Sequence, residues 1–399
     1  MRMPRYEDLS KEQDAIFMTA PMDGAVLVTG PPGTGKTVMA FYRARACKKN
    51  RQTPLIIMFN KVLRRFVEQV AVDWRFGGSV DTWHSWIRGW WLRVFGALLP
   101  RGRDYDLNWG VVLDRAVRMS AREMERARWG HLIVDEGQDF PRQFYDLANF
   151  VVYQASQGQP GGNGYCITVF ADENQRITGN NSTIKDIADA LNLGEDRQYR
   201  LSRNYRNTKQ IAKVAAHFYV GLRTGIPDPP EDRSGPLPVL RDCRDLNSTV
   251  DYIRRFASNH DDMSIAVFVP TKKIQKTLFN KLAHRLRSAR GIKVQRYTSS
   301  ERGVHGDADR LSLDKPGTVT VLCLHSCKGL EFDTVFIPEL QMYRYDPAAV
   351  TSLKMYLYVM SSRARSNLYY MYSDCDGVAP PVLAYFPSRD SGKMEYEHD

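Results

Sequence analysis

At 399 residues, with 43% hydrophobic and 25% charged residues, the chain has the make-up of a soluble globular protein and is too long for one ordinary core. No run of ~18 uncharged apolar residues occurs, so no membrane-spanning helix is expected, and six cysteines without a Cys-x-x-Cys pair do not make a disulfide framework. Fifty-six Lys and Arg against 45 Asp and Glu leave a net charge of +11, which favours a polyanionic partner because basic residues that neutralise phosphates release condensed counterions.

The N-terminus, Met1 to Arg5, runs into charged residues without an apolar core, so secretion is not expected and a reducing cytoplasm is the default setting. In chain order, apolar strand-like runs alternate with helical ones, which argues for an α/β protein with mostly parallel sheets. Strands are expected at 25–29, 54–59, 131–135 and 165–171, then at 264–269, 318–324, 333–337 and 367–372. Helices are expected at 38–49, 60–71, 111–128, 141–154, 206–220 and 271–288. The polar stretch Leu193 to Arg197 reads as a hinge between a first domain, 1–196, and a second, 197–375. Inside the second, the Pro-rich segment from Pro227 to Pro238 separates an opening helix from the main sheet. Residues 376–399 carry Gly, Pro and charge and read as a loosely attached tail.

Residues 30–37, Gly30-Pro31-Pro32-Gly33-Thr34-Gly35-Lys36-Thr37, match G-x-x-x-x-G-K-[ST] at every required position. The apolar run Ala25 to Val28 leads in as a strand, and Val38 to Phe41 leads out as a helix. Glycines let the backbone wrap round phosphate oxygens, and the helix start presents N–H groups and a favourable dipole. Lys36 is expected on the β/γ-phosphates and the Thr37 hydroxyl on Mg²⁺. A strand then ends in Asp135-Glu136-Gly137-Gln138-Asp139, where Asp135 is expected to hold Mg²⁺ and Glu136 to deprotonate the attacking water. A third strand runs into Asp172-Glu173-Asn174-Gln175, and Gln175 is expected to reach the γ-phosphate. The second half supplies arginines at Arg203-Asn204-Tyr205-Arg206 and Ser361-Ser362-Arg363-Ala364-Arg365, suited to stabilising transition-state charge.

With these motifs in order, the chain resembles the superfamily 1 helicases of the UvrD/Rep type along nearly its whole length. Leu9 to Gln13 is similar to the family's Q motif, Phe59-Asn60-Lys61 to motif Ia, and Thr82-Trp83-His84-Ser85-Trp86 to motif Ib. Residues 30–37, 132–139 and Ala171 to Gln175 resemble motifs I, II and III, and Asn204-Tyr205-Arg206 resembles motif IV. His325 to Asp333 and Tyr358 to Arg365 look like motifs V and VI. The resemblance implies two RecA-like P-loop NTPase domains with the ATP site in the interdomain cleft, and ATP with Mg²⁺ as cofactors. It implies that Gln13 reads the adenine edge, Tyr205 stacks on the adenine, Glu331 bonds the ribose, and Arg206 and Arg363 meet the γ-phosphate. It also implies a single-strand groove lined by Asn60, Lys61, Trp83, His84, Trp86 and His325, in keeping with aromatic stacking on bases and basic residues along the backbone.

The chain departs from the family at several points. Gly137 stands for the usual Ala of motif II and is read as a neutral exchange. Val38 follows Thr37 where an Arg often lies, and Arg176 and Thr178 replace a Ser and a base-stacking Tyr. Only 50 residues lie between His84 and Asp135, and 118 between Arg206 and His325, where the family's helicases carry large insertions. The expectation is a minimal ATP-driven translocase on single-stranded DNA, 3′ to 5′ by resemblance. Two alternatives stand beside it: an ATP-switch subunit controlling a partner nuclease or effector in repair or phage defence, and an RNA-acting helicase.

Overall fold

The computed structural model describes residues 4–73, 79–102, 106–158, 164–175, 181–222, 224–301, 303–343, 350–375 and 377–399; the side chains of 73, 155–158 and 175 fall outside that description. Two compact units divide the chain. One comprises Arg2–Ser202 with Arg223–Gly225, and the other Arg203–Leu222 with Ile226–Asp399.

The first unit is built on six parallel strands: β1 (Ala25–Thr29), β2 (Pro54–Met58), β3 (Ser79–Thr82), β4 (Gly130–Val134), β5 (Tyr165–Ala171) and β6 (Gln198–Arg200). Their order across the sheet is β3-β2-β4-β5-β1-β6. The central strands are buried and largely apolar, as a parallel sheet covered on both faces requires, with His131 and Thr168 as polar exceptions. Helices α1 (Lys11–Thr19), α2 (Lys36–Lys49), α3 (Lys61–Asp73), α4 (Trp83–Phe95), α5 (Trp109–Val117), α6 (Ala121–Arg126), α7 (Arg142–Gly158) and α8 (Ile184–Ala190) connect them. Because β1 lies beside β5 and β5 beside β4, the loops after all three open at the same edge of the sheet, where open α/β sheets place their ligands.

The helix expected over 111–128 is two helices. Ser120 accepts from the Glu123 amide at 3.3 Å while the Glu123 carboxylate takes the Ser120 amide at 2.9 Å, and this capping box restarts the chain as α6. The unit also runs past the expected hinge at 193–197, since Leu27–Thr29 of β1 pair with Gln198–Arg200 of β6. Under the sheet, Thr168 accepts from Arg43 Nε at 3.1 Å and therefore donates its hydroxyl hydrogen to His131 Nε2 at 2.8 Å. His131 then donates from Nδ1 to Gln52 at 3.1 Å, and burial, aided by the Arg43 charge, pushes its pKa down to about 3.

The second unit carries seven parallel strands: β7 (Val239–Cys243), β8 (Ser264–Val269), β9 (Lys293–Tyr297), β10 (Thr318–Cys323), β11 (Phe332–Ile337), β12 (Ala364–Ser373) and β13 (Glu395–His398). The order is β13-β7-β12-β11-β8-β10-β9. Helices α9 (Lys209–His217), α10 (Leu246–Asn259), α11 (Lys272–Arg285) and α12 (Val350–Ser361) pack round it. The expected helix over 206–220 begins only at Lys209. Asn204 folds the preceding residues into a turn, its Oδ1 accepting from the amides of Arg206 and Asn207, and Thr208 caps the helix. Residues 395–398, expected in a loose tail, instead form β13 and pair with β7 from Val239 to Asp242. Arg241 of β7 reaches both Glu397 (2.6 Å) and Asp399 (2.7 Å), so opposite charge fastens the strand to the sheet edge.

Candidate nucleotide site

In the first unit, the loop after β1 becomes the start of α2 through two left-handed glycines, Gly33 (φ +85°) and Gly35 (φ +87°). A Cβ on Gly35 would lie 2.5 Å from Gln13 Nε2, so glycine is needed for the close approach as well as the backbone angle. Gln13 itself is buried. It takes the Ser10 amide at 3.2 Å on its carbonyl and donates to the Thr34 carbonyl at 3.1 Å, which ties α1 to the phosphate loop. Thr34 in turn donates to the Pro31 carbonyl at 2.9 Å.

Lys36 is buried at 6% exposure, and its ammonium donates to the carbonyls of Gly30 (2.5 Å) and Pro31 (3.0 Å) with Asp172 at 3.6 Å. Thr37 donates to Asp135 Oδ2 at 2.8 Å, which joins the helix start to the end of β4. Glu136 has φ +54°, a left-handed angle that turns the chain sharply after Asp135. Burial, reinforced by the neighbouring Glu136 charge, pushes Asp135 up to about 7. A fully enclosed carboxylate beside a second carboxylate and a hydroxyl is a hard oxygen donor set short of positive charge, and it fits Mg²⁺. The ammonium at the mouth of the glycine loop likewise fits phosphate oxygens.

Gln138 was not singled out by sequence, yet it organises this end of the sheet. With 0% exposure, it donates from Nε2 to Glu136 Oε2 (2.6 Å) and accepts from the Asp172 amide (2.8 Å). One amide therefore holds the expected base and fixes the loop after β5. Gly137 is not interchangeable with Ala: a Cβ there would meet Val169 Cγ1 at 2.4 Å and the Tyr145 hydroxyl at 2.9 Å. The Tyr145 hydroxyl is held there by donating to the Gly137 carbonyl at 2.5 Å. Gln175 has its backbone in the 3-10 turn Glu173–Gln175, but its side chain, with Arg176 and Thr178, lies outside the described residues.

In the second unit, Arg206 donates from Nε to Glu331 Oε2 at 2.8 Å and from Nη1 to the Ser362 carbonyl at 3.3 Å. Arg363 is 1% exposed, donating to the carbonyls of Val359 (3.0 Å) and Leu330 (3.4 Å). Burial by itself would raise the Glu331 pKa, but nearby positive charge, led by the Arg206 guanidinium and including Arg365, outweighs it and lowers the carboxyl to about 2. Arg365 is ion-paired as well with Asp314, and with Asp333 at 3.1 Å. Tyr205 has Arg203 over its ring at 5.7 Å, and its hydroxyl is buried without a hydrogen-bond partner.

The residues expected on nucleic acid separate into two kinds. Trp83 and Trp86 are 2% and 7% exposed and belong to the apolar core, where Trp83 stacks on Trp109 at 5.9 Å and both meet Phe144. The period of α4 explains this: Trp83, Trp86 and Trp90 fall on one helix face, and that face is the inner one. His84, one position round, is exposed, with its ring edge against Phe59 at 5.0 Å. Lys61 is exposed beside it, and Asn60 is half-buried, its carbonyl oxygen accepting from the Val62 amide at 2.8 Å. Partial desolvation, then the charges of Arg88 and Lys61, lower the His84 pKa. His325 is exposed after β10, in the second unit, and desolvation followed by the Lys328 charge lowers its pKa. Among the described residues no helix is long and apolar enough to cross a membrane.

Comparison with known proteins bears on both units. A family model described as an AAA domain matches residues 12–181, and one described as the UvrD-like helicase C-terminal domain matches residues 300–374. A curated relative, described as putative ATP-dependent DNA helicase R568 of Acanthamoeba polyphaga mimivirus, is 24% identical over 254 residues. That alignment covers 60% of this chain and 34% of the relative, so the chain spans about a third of the length of the curated protein it matches. A solved structure, the C-terminal domain of a possible DNA helicase from Lactobacillus plantarun WCFS1, is 21% identical with a TM-score of 0.34, covering 48% of this chain and 98% of that one. With an N-terminal nucleotide-binding model and the UvrD-like C-terminal model matched in chain order, and with short stretches after His84 and Arg206, the chain belongs to the UvrD-like superfamily 1 helicases in a compact form.

Proposed function

We propose that this chain is an ATP-driven translocase on single-stranded DNA, moving 3′ to 5′. The observation that carries the reading is the buried set Lys36, Asp135, Glu136 and Gln138 with the half-buried Thr37, at the ends of β1 and β4. In hydrolysis a water oxygen attacks the γ-phosphorus, the bond to the β-phosphate oxygen breaks, and ADP and phosphate leave. Glu136 takes the proton of that water, with Gln138 keeping the carboxylate aimed. Lys36 meets the β/γ-phosphate charge, and Arg206 and Arg363 of the second unit add cationic charge as the γ-phosphoryl transfers. Thr37 and Asp135 would hold Mg²⁺, which neutralises phosphate charge when bound.

In this reading Gln13 reads the adenine edge, Tyr205 stacks on the adenine and Glu331 bonds the ribose, with Gly30, Pro31, Pro32, Gly33, Thr34 and Gly35 supplying the backbone that cradles the phosphates. For the strand, exposed Lys61, His84 and His325, and Asn60, are the contacts of this reading, and the +11 charge supports a polyanion. Trp83 and Trp86 then act from the core, holding His84 at the surface. ATPase rate measured with and without single-stranded oligonucleotide tests the translocase, and a rate that single strands do not raise overturns it. Strand displacement on 3′- and 5′-tailed duplexes reads the polarity, and preferential action on the 5′-tailed substrate reverses it.

A further inference from the structure

The two arginines of the proposed reaction lie far apart in the chain, and one side chain joins them. Asn207 is 1% exposed. Its Nδ2 donates to the carbonyls of Ser362 (3.2 Å) and Ala364 (2.5 Å), the two residues flanking Arg363, across a separation of 155 positions. Its Oδ1 accepts from Asn204 Nδ2 at 2.9 Å, and its own amide donates to Asn204 Oδ1 at 3.1 Å. That same Asn204 oxygen takes the Arg206 amide at 2.9 Å. The Ser362 carbonyl is shared, since Arg206 Nη1 also donates to it at 3.3 Å.

We infer that Asn207 is a positioning residue that sets the Arg206 and Arg363 segments in one fixed arrangement, so that the two guanidiniums act as a pair. The chemistry requires an amide there. Two N–H donors from one atom are needed for two carbonyls, and a carbonyl oxygen for Asn204; Ser has one donor and an ionised Asp has none. Being fully enclosed, the amide has no water to replace a lost bond, so its deletion strips a donor from the Ala364 carbonyl and leaves the Ser362 carbonyl to Arg206 alone. A shift of the segment would then reach Arg206 directly, because Arg206 is the preceding residue. This inference rests on the reading that Arg206 and Arg363 act on ATP.

A buried amide elsewhere in the same unit supplies the control. Gln275, with 0% exposure, donates to the carbonyls of Tyr297 (2.9 Å) and Val321 (3.0 Å), joining β9 to β10 in the same manner with no arginine of the reaction beside it. The experiment compares kcat and KM for ATP, with single-stranded DNA present, in the full chain carrying Asn207→Ala, Asn207→Ser, Arg206→Ala, the double variant Arg206→Ala/Asn207→Ala, and Gln275→Ala. Thermal melting of each checks folding. Asn207→Ala is expected to lower kcat about 10- to 100-fold, as a misplaced catalytic group does, with KM changed less than about threefold. Asn207→Ser, which keeps one donor and perturbs folding less, is expected to fall between. The double variant is expected to be no slower than Arg206→Ala alone, and Gln275→Ala to lose stability without the loss in kcat. Multiplying losses in the double variant, or an Asn207→Ser kcat equal to that of Gln275→Ala, overturns the inference. If Arg206→Ala leaves kcat unchanged, the reading of the arginines fails first and the inference falls with it.

Discussion

Two clusters of buried charge can be set side by side. In the first unit, the Lys36 ammonium is met by two loop carbonyls and by Asp172, all supplied by turns that follow β1 and β5. In the second, Arg206 rests on one carboxylate, Glu331, and on one carbonyl, Ser362. The first arrangement rests a single charge mainly on two backbone carbonyls that no side-chain substitution removes. The second concentrates several charges on Glu331, Arg206 and Arg365, so that single residues control it. Side-chain substitutions among the charged groups of the first cluster should therefore report chemistry with the fold intact, whereas those in the second cluster should report stability and chemistry together.

The largest effect expected is in the first unit. Glu136→Gln keeps the shape and an oxygen that can accept from Gln138 Nε2, so the loop should persist, but it removes the proposed base. Turnover should fall by about 10²- to 10⁴-fold, the range for general-base removal, while ATP binding is retained. Single-turnover hydrolysis alongside binding of a fluorescent ATP analogue separates the two, and persistent turnover would reassign the base.

Glu331→Gln tests the other side of the comparison. It leaves the Arg206 guanidinium with a neutral partner while Arg365 keeps Asp314 and Asp333, and breaking a buried pair such as Arg206–Glu331 costs about 3–5 kcal/mol. The pH dependence has a definite sign. A carboxyl held at about 2 when folded, against an ordinary value of 4.5, contributes stability that is fully present above about pH 4.5 and is lost as the pH falls through 2. Denaturant melts from pH 7 down to pH 2 should show a shallower acid limb in the variant, and identical limbs would place the acid sensitivity elsewhere.

What the sequence discloses follows the same division. The phosphate loop, Asp135 and Glu136 are local motifs at strand ends, and the strands that carry them are largely apolar runs. Their contacts across the sheet follow from parallel order alone. Gln138 was in view inside Asp135 to Asp139 but gave no sign that its amide would bridge Glu136 to Asp172, because that bond depends on which strand neighbours β4. Asn207 was less legible still, since its partners lie 155 and 157 positions away. The short edge strands β3, β6 and β13 were missed because four or fewer residues with exposed faces carry no burial pattern. Trp83 and Trp86 were expected in the groove on the strength of their motif, and the helical period that turns them inward was the better guide.

Gly137→Ala returns to the first unit with a smaller effect. The added methyl would lie 2.4 Å from Val169 Cγ1, and Tyr145 could yield only by losing its bond to the Gly137 carbonyl. Overpacking of this kind costs about 1–3 kcal/mol, so the melting temperature should drop although alanine is the usual residue of the motif. The companion change Tyr145→Phe removes the hydroxyl and half of the clash. Recovery of stability in Gly137→Ala/Tyr145→Phe relative to Gly137→Ala would show that the crowding is at the phenol, and no recovery would locate it at Val169.

The smallest effect is expected at the far edge of the second sheet, where charge is spent on attachment. Arg241 is mostly buried, lies over the Tyr252 ring at 4.5 Å, and pairs with Glu397 and Asp399. Both partners are partly exposed, so solvent weakens each pair, and Arg241→Ala should cost about 1 kcal/mol. Removing residues 395–399 deletes the same pairs from the other side together with the β13 ladder. The truncation should therefore cost at least as much, and adding Arg241→Ala to it should cost little more. Melting of the three variants at low and high salt reads this, with the gap between Arg241→Ala and the parent narrowing as salt screens the pairs. ATP turnover should stay at the parent level in all three, because this edge holds none of the residues proposed to meet the phosphates; a fall in kcat there would mean that a distant anchor of the second unit governs its arginines, and the contrast between a robust first site and a finely held second one would be wider than Glu331 and Asn207 alone imply.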